Sequence, residues 1–303
     1  IFREVAEVGA LLKKIAPAAG TLVKAKTALL FDWDNRWAIQ DVKALSENTK
    51  NYEKTCIGIW KEFQKLGVEM DVVSSNDDLS DYKVVVAPML YLLQSGTAEN
   101  LQKFVKNGGQ LLATYFTGYV DKDTLCYLGG FPGDGLAELF GVISEEIDTL
   151  YPSDRNSLCF LDGKKWTVYD YAEILRVQDA QILASYGTDF YEGSAALTVK
   201  EWESDTHTGE NGRAYYIAAR VAPEEMGSLF ETMLANAGIA VKDLPGEVEY
   251  HQRQGEDTTY EFYLNHGKEK SLIKNVTGRN LLTGEDINET LSLAAYDVAV
   301  ICK

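Results

Sequence analysis

Ala28-Leu29-Leu30-Phe31-Asp32-Trp33-Asp34-Asn35-Arg36-Trp37-Ala38 runs from an apolar strand directly into two acids, an amide, a guanidinium and two indoles. Where that strand sits decides what the cluster can meet, because in open parallel α/β sheets ligands and partners gather at the carboxyl ends of the strands. The residues downstream predict such a sheet. Tyr52, Cys56, Ile59, Phe63 and Leu66 recur at steps of four and three, an amphipathic helix that Gly67 can stop in a left-handed turn. Val68, Met70 and Val72 begin a second strand. Val84-Val85-Val86-Ala87 is apolar on both faces, as a central parallel strand must be, until Pro88 ends it. Thr97 can cap a helix through Leu101, Phe104 and Val105 that stops at Asn107-Gly108-Gly109, and Leu111 to Tyr115 supplies the next strand. With Thr27 to Phe31 placed first, strands alternate with helices, which reads as an α/β fold with a parallel sheet and helices on both faces.

Beyond residue 116 the pattern changes. Thr117 to Gly135 is a glycine-rich loop of a length usually reserved for function or an interface. Strands and loops follow to about residue 220, including Trp166 to Tyr171, Ile182 to Tyr186 and Ala214 to Ala219. Pro223 then opens a helix with Met226, Leu229, Phe230, Met233 and Leu234 on one face, closed by Gly238. After Pro245 the period becomes two, with Val248 to Tyr250, Tyr260 to Leu264 and Ala299 to Ile301 as strands. At the other end Phe2, Val5, Val8, Leu12 and Ile15 form an amphipathic helix already under way at Ile1, which suggests a piece of a longer protein. The division is a linking helix over 1–22, an α/β domain over 23–240 and a C-terminal β-sandwich over 241–303.

A net charge of -17 repels phosphate backbones and anionic headgroups, which argues against nucleic-acid and membrane-surface partners. No apolar run reaches the roughly 20 residues of a bilayer span. The four cysteines, Cys56, Cys126, Cys159 and Cys302, form no CxxC pair, so a reduced cytoplasmic setting is the simplest reading.

A catalytic set does not assemble. The turn Ala113-Thr114-Tyr115-Phe116-Thr117-Gly118 has neither Cys nor Ser where a nucleophile elbow would carry one. Cys126 lies further along the loop, and His207, His251 and His266 share no ligand spacing, so no metal or cofactor site is expected. Gly129-Gly130-Phe131-Pro132-Gly133 lacks the lysine of a phosphate cradle. Glu145 and Glu146, adjacent on a strand, point to opposite faces and do not converge as an acid and a base, and Asp32 and Asp34 read as helix-capping and interface hydrogen-bonding residues, with substrate-edge contact as the alternative. Trp33 and Trp37, four apart with Arg36 between them, suit either core anchoring or a docking surface, since Trp and Arg concentrate interface energy.

Ordered phrases then resemble the glycoside hydrolase family 42 β-galactosidases, in the portion that follows their catalytic barrel. Phe2-Arg3-Glu4-Val5 is similar to the helix leaving the barrel. Leu30 to Ala38 resembles the opening of the trimerisation domain, and Asp81 to Leu92 its later central strand. Gly118-Tyr119-Val120-Asp121 with Leu128 to Gly133 resembles its long loop, and Tyr296 to Val300 the close of the C-terminal β domain. Lys122 and the added Asp134-Gly135 depart from the loop pattern. The resemblance implies a flavodoxin-like, class I glutamine-amidotransferase-like sheet without a nucleophile. It also implies catalytic glutamates on a barrel before Ile1, a homotrimer, and a galactoside met only through the parent's active site. Asp32, Trp33, Asp34, Arg36, Trp37, Tyr119 and Asp121 are then interface or substrate-edge candidates, and no residue is catalytic. Two rivals are a stand-alone amidotransferase-like enzyme and a carbohydrate-binding module stacking sugars on Trp33, Trp37, Trp166 or Trp202.

Overall fold

A computed structural model describes residues 1–43, 49–204 and 210–303, and His207 lies outside the described residues. Packing divides the chain into two units, one of residues 26–60 and 71–239, the other of residues 1–25, 61–70 and 240–303. The helices are α1 (Phe2–Lys14), α2 (Trp33–Asp41), α3 (Tyr52–Lys65), α4 (Thr97–Lys106), α5 (Leu136–Phe140) and α6 (Gly227–Asn236).

The larger unit carries β1 (Thr27–Leu30), β2 (Met70–Val73), β3 (Val84–Ala87), β4 (Leu92–Leu93), β5 (Gln110–Thr114), β6 (Val120–Asp121), β7 (Val142–Thr149), β8 (Asn156–Phe160), β9 (Lys165–Val177), β10 (Gln181–Tyr186), β11 (Ala195–Trp202), β12 (Gly212–Ile217) and β13 (Ala219–Val221). An 11-stranded sheet follows the order β13-β9-β8-β10-β11-β12-β5-β3-β1-β2, with β7 paired to β9. The expectation of a parallel sheet holds for only part of it. β1, β3, β5 and β12 pair in parallel, whereas β7 to β11 and β13 extend the sheet through antiparallel pairs. The reason is connection length: the turn between β8 and β9 and the loop between β10 and β11 are too short for a crossover helix, so these neighbours run antiparallel.

β1 and β3 are buried along their whole lengths, as their continuous apolar runs require. Their side chains Ala28, Leu30, Val85 and Ala87 share one core with Leu111 and Tyr216 of the sheet, Leu101, Phe104 and Val105 of α4, and Leu139 and Phe140 of α5. Gly67 does take the left-handed turn after α3, at φ +63°. Thr97 is not the cap of α4. Gly96 holds that position, and the Thr97 hydroxyl instead reaches Asn76 Oδ1 at 3.0 Å and Ser75 Oγ at 3.1 Å.

In the smaller unit β14 (Val248–Gln254), β15 (Thr259–Asn265), β16 (Ser271–Lys274), β17 (Gly278–Asn280), β18 (Asp286–Ile287), β19 (Thr290–Leu293) and β20 (Val298–Cys302) are antiparallel. The five-stranded sheet β14-β15-β20-β17-β18 and the pair β16-β19 enclose Tyr250, Tyr263, Ile273, Leu291, Leu293 and Ile301. α1 has no buried residue and leaves Phe2, Val5 and Leu12 exposed. Among the described residues no helix is long and apolar enough to cross a membrane.

Candidate functional site

The chain leaves β1 at Leu30 and enters α2 almost at once, with Asp32 as the N-cap residue in extended backbone. The helix-capping expectation thus holds for position, although the Asp32 side chain makes no cap hydrogen bond. Asp34 lies in the first helical turn, and both acids face the positive end of the helix. They still diverge. The buried Asp32 carboxylate accepts Ser74 Oγ at 2.6 Å and the Ser75 N–H at 3.2 Å, fixing the loop that follows β2. Asp34 accepts Gln94 Nε2 at 2.7 Å on the surface.

Asn35 does the corresponding work after β3. Fully buried, it donates to the Met89 carbonyl at 3.0 Å and accepts the Leu92 N–H at 2.9 Å, holding a bend in which Met89 sits at φ 43°. The outward positions behave differently. Trp33 and Trp37 are 58% and 55% exposed, with ring centroids 6.1 Å apart. Between them the Arg36 guanidinium lies 5.5 Å from the Trp33 ring and pairs with Glu53. Helical spacing at i, i+3 and i+4 thus separates a polar inward face, which ties two strand-end loops together, from an aromatic and cationic outward face.

Tyr119 and Asp121 occupy the long loop. Asp121 Oδ1 accepts the N–H groups of Asp123 and Leu125, each at 2.9 Å, so this carboxylate closes a turn within the loop. The Tyr119 ring stacks on Phe131 at 4.0 Å and on Tyr91 at 5.9 Å. Its hydroxyl donates at 2.9 Å to Glu173, a residue that no sequence motif singles out. Glu173 is fully buried on β9, and its carboxylate also accepts the Phe116 N–H at 2.8 Å and the Tyr216 hydroxyl at 2.7 Å. Burial pushes its carboxyl up to about 7, against hydrogen bonds that act the other way.

The turn after β5 is built from Tyr115, Phe116, Thr117 and Gly118. Phe116 stands at φ 65°, a conformation costly for a bulky residue, and its N–H is committed to Glu173. Cys126 is exposed, and neither a His nor a carboxylate is hydrogen-bonded to it among the described residues. His251 and His266 instead meet carboxylates: His251 Nδ1 lies 3.1 Å from Glu69, and His251 Nε2 and His266 Nε2 lie 2.7 and 2.6 Å from Glu249. No described group of three or more His, Cys, Asp or Glu is arranged to hold a metal ion. Of the possible sugar platforms, Trp166 is 1% exposed and cannot stack on a ligand, and Trp202 is covered by Lys200 at 4.4 Å. A cleft of about 440 Å³ beside α2 is lined by Arg36, Gln40, Lys50, Glu53 and Lys54.

The family model of the β-galactosidase trimerisation domain matches residues 25–240, and that of the β-galactosidase C-terminal domain matches residues 247–303. The chain belongs to the glycoside hydrolase family 42 β-galactosidases. Among curated members, β-galactosidase BglY of Alicyclobacillus acidocaldarius is 37% identical and β-galactosidase Pbg of Clostridium perfringens 35%, each over 99% of this chain and 44% of its own length. The crystal structure of β-galactosidase from Bacillus circulans sp. alkalophilus superposes with a TM-score of 0.92 at 30% identity, over all of this chain and 45% of that one. A family 42 β-galactosidase of G. stearothermophilus, solved as a catalytic mutant, gives 0.91 at 35% identity, over all of this chain and 43% of that one. The chain thus spans less than half the length of the family 42 relatives it matches, over their trimerisation and C-terminal domains.

Proposed function

We propose that this chain is the assembly portion of a cytoplasmic, retaining β-galactosidase acting on terminal β-D-galactosides, and that it holds three subunits together around barrels that carry the catalytic glutamates. The observation that carries the reading is the division of α2: Asp32 and Asn35 are spent on the fold, while Trp33 and Trp37 are more than half exposed with the Arg36 guanidinium beside them. Trp and Arg at such density are the residues that concentrate interface energy. The exposed apolar face of α1 supports contact with a preceding barrel. The strand order β2-β1-β3-β5-β12 supports a flavodoxin-like, amidotransferase-like origin for the larger unit, whose elbow has exchanged a nucleophile for Phe116. On this reading Asp121 shapes the loop that borders the interface, and the domain division is 1–22, 23–240 and 241–303. Sedimentation of the full-length protein tests it: the wild type runs as a trimer, and Trp37→Ala shifts it toward smaller species. A monomeric wild type, or a trimer that Trp37→Ala leaves equally stable, would overturn the reading.

A further inference from the structure

Glu173 has no role in the assembly reading, and its surroundings are unusual for a carboxylate. Oε1 accepts two donors from the long loop and its root, the Phe116 N–H at 2.8 Å and the Tyr119 hydroxyl at 2.9 Å. Oε2 accepts the Tyr216 hydroxyl from β12 at 2.7 Å. The Tyr186 hydroxyl on β10 donates to the Glu173 carbonyl at 3.0 Å, and Ser144 on β7 lies behind Tyr119, 3.3 Å from its hydroxyl. These are the titratable and polar groups that face it. No Lys, Arg or His pairs with it among the described residues. Burial raises the phenols of Tyr119, Tyr186 and Tyr216, so all three remain protonated through neutral pH and only the carboxyl titrates there.

We propose that Glu173 is a proton-operated latch on the loop from Phe116 to Gly135: the neutral carboxyl holds the loop closed, and the ionised carboxylate favours its release. In the neutral form Oε1 still accepts both loop donors, while the proton on Oε2 points to the Tyr216 oxygen. In the ionised form a whole charge stands in the interior with only neutral donors, Phe116 N–H and the hydroxyls of Tyr119, Tyr216 and Ser144, and no counter-ion among the described residues. Three of the elements that contribute these groups, β9, β10 and β12, are strands held on both sides by the sheet. The loop is tied to its surroundings by backbone bonds near its two ends, among them Gly118 N–H to the Leu90 carbonyl, Tyr119 and Val120 N–H to the Tyr91 carbonyl, and Ser144 N–H to the Phe131 carbonyl. It is the cover that can lift, and Phe116 at φ 65° gives its root a strained conformation to relax.

Hydrogen exchange of the Gly118, Tyr119, Val120 and Ser144 amides in the full chain, corrected for intrinsic rates, reads the opening directly. A carboxyl titrating at its ordinary 4.5 when the loop is open and at about 7 when closed makes opening about 25-fold more favourable at pH 8 than at pH 5.5. Glu173→Gln is expected to abolish that dependence. Tyr119→Phe, which keeps the carboxyl but removes one donor to its ionised form, is expected to make the fall steeper, and it serves if Glu173→Gln does not fold. Wild-type protection that ignores pH, a Glu173→Gln protein that falls as the wild type does, or a Tyr119→Phe protein with a shallower fall would overturn the latch.

Discussion

Replacing Asp32 by Ala separates the two faces of α2. The substitution removes the acceptor for Ser74 Oγ and for the Ser75 N–H, and Ser75 has no exposed surface through which water could replace it. Hydrogen bonds to a charged acceptor are worth about 1.5 to 3 kcal/mol each, and a buried donor left unsatisfied costs about as much again. Both bonds share one carboxylate and are not independent, so about 3 kcal/mol is the expected loss. With a urea slope of about 3 kcal/mol per molar for a unit of this size, the midpoint falls by about 1 M. Urea unfolding followed by circular dichroism on the same chain checks it. Asp34→Ala, which gives up only the surface bond to Gln94, and Trp37→Ala, more than half exposed, should each stay within about 1 kcal/mol of the wild type. If Asp32→Ala unfolds within about 0.5 kcal/mol of the wild type, or Trp37→Ala costs more than Asp32→Ala, the inward and outward faces have been misassigned.

Three further outcomes follow from the geometry. The hydrogen bond to Glu69, aided by Glu249, holds His251 up at about 9 against an ordinary 6.5. Its contribution to the smaller unit is therefore complete below about pH 6.5 and lost as pH climbs through about 9; thermal melts of His251→Asn should lack that decline, and an identical decline would discount the pairing. Burial pushes the Cys56 thiol up to about 12 while Cys126 is exposed, so iodoacetamide at pH 7.5 should label Cys126 about 100-fold faster. Comparable rates would show that Cys56 is accessible. At Gly212 a Cβ would stand 1.8 Å from the Val105 carbonyl oxygen, and both positions are backbone that cannot step aside; Gly212→Ala should cost about 3 kcal/mol, and a neutral effect in urea would contradict that close approach.

The parallel core was legible because its physics is local. Val84 to Ala87 must be buried on both faces to be so apolar, and the helix ending at Gly67 carries its own stop. The antiparallel extension was less so, since β9 mixes apolar residues with Asp170 and Glu173 and no single period describes it. A capping place for Asp32 was legible, but the commitment of its carboxylate to Ser74 and Ser75 was not, since only the fold brings that loop to the start of α2. Glu173 was invisible for the same reason. Tyr119 and Tyr216, which define its environment, lie 54 and 43 residues away, and only the fold brings them together. A lone Glu between Ala172 and Ile174 in a long strand was the available clue, and alternation alone would have turned it toward solvent. The outward position of Trp33 and Trp37 was equally open from sequence, where core anchoring competed with docking.

Whether residues 1–303 carry chemistry of their own is best decided by turnover of nitrophenyl-β-galactoside with this chain alone, at concentrations high enough to detect a weak activity. The account predicts no hydrolysis above the buffer rate, because among the described residues no metal set stands at the strand ends and Asp32 and Asp34 diverge to separate partners. Turnover that a single substitution within the chain abolishes would contradict it.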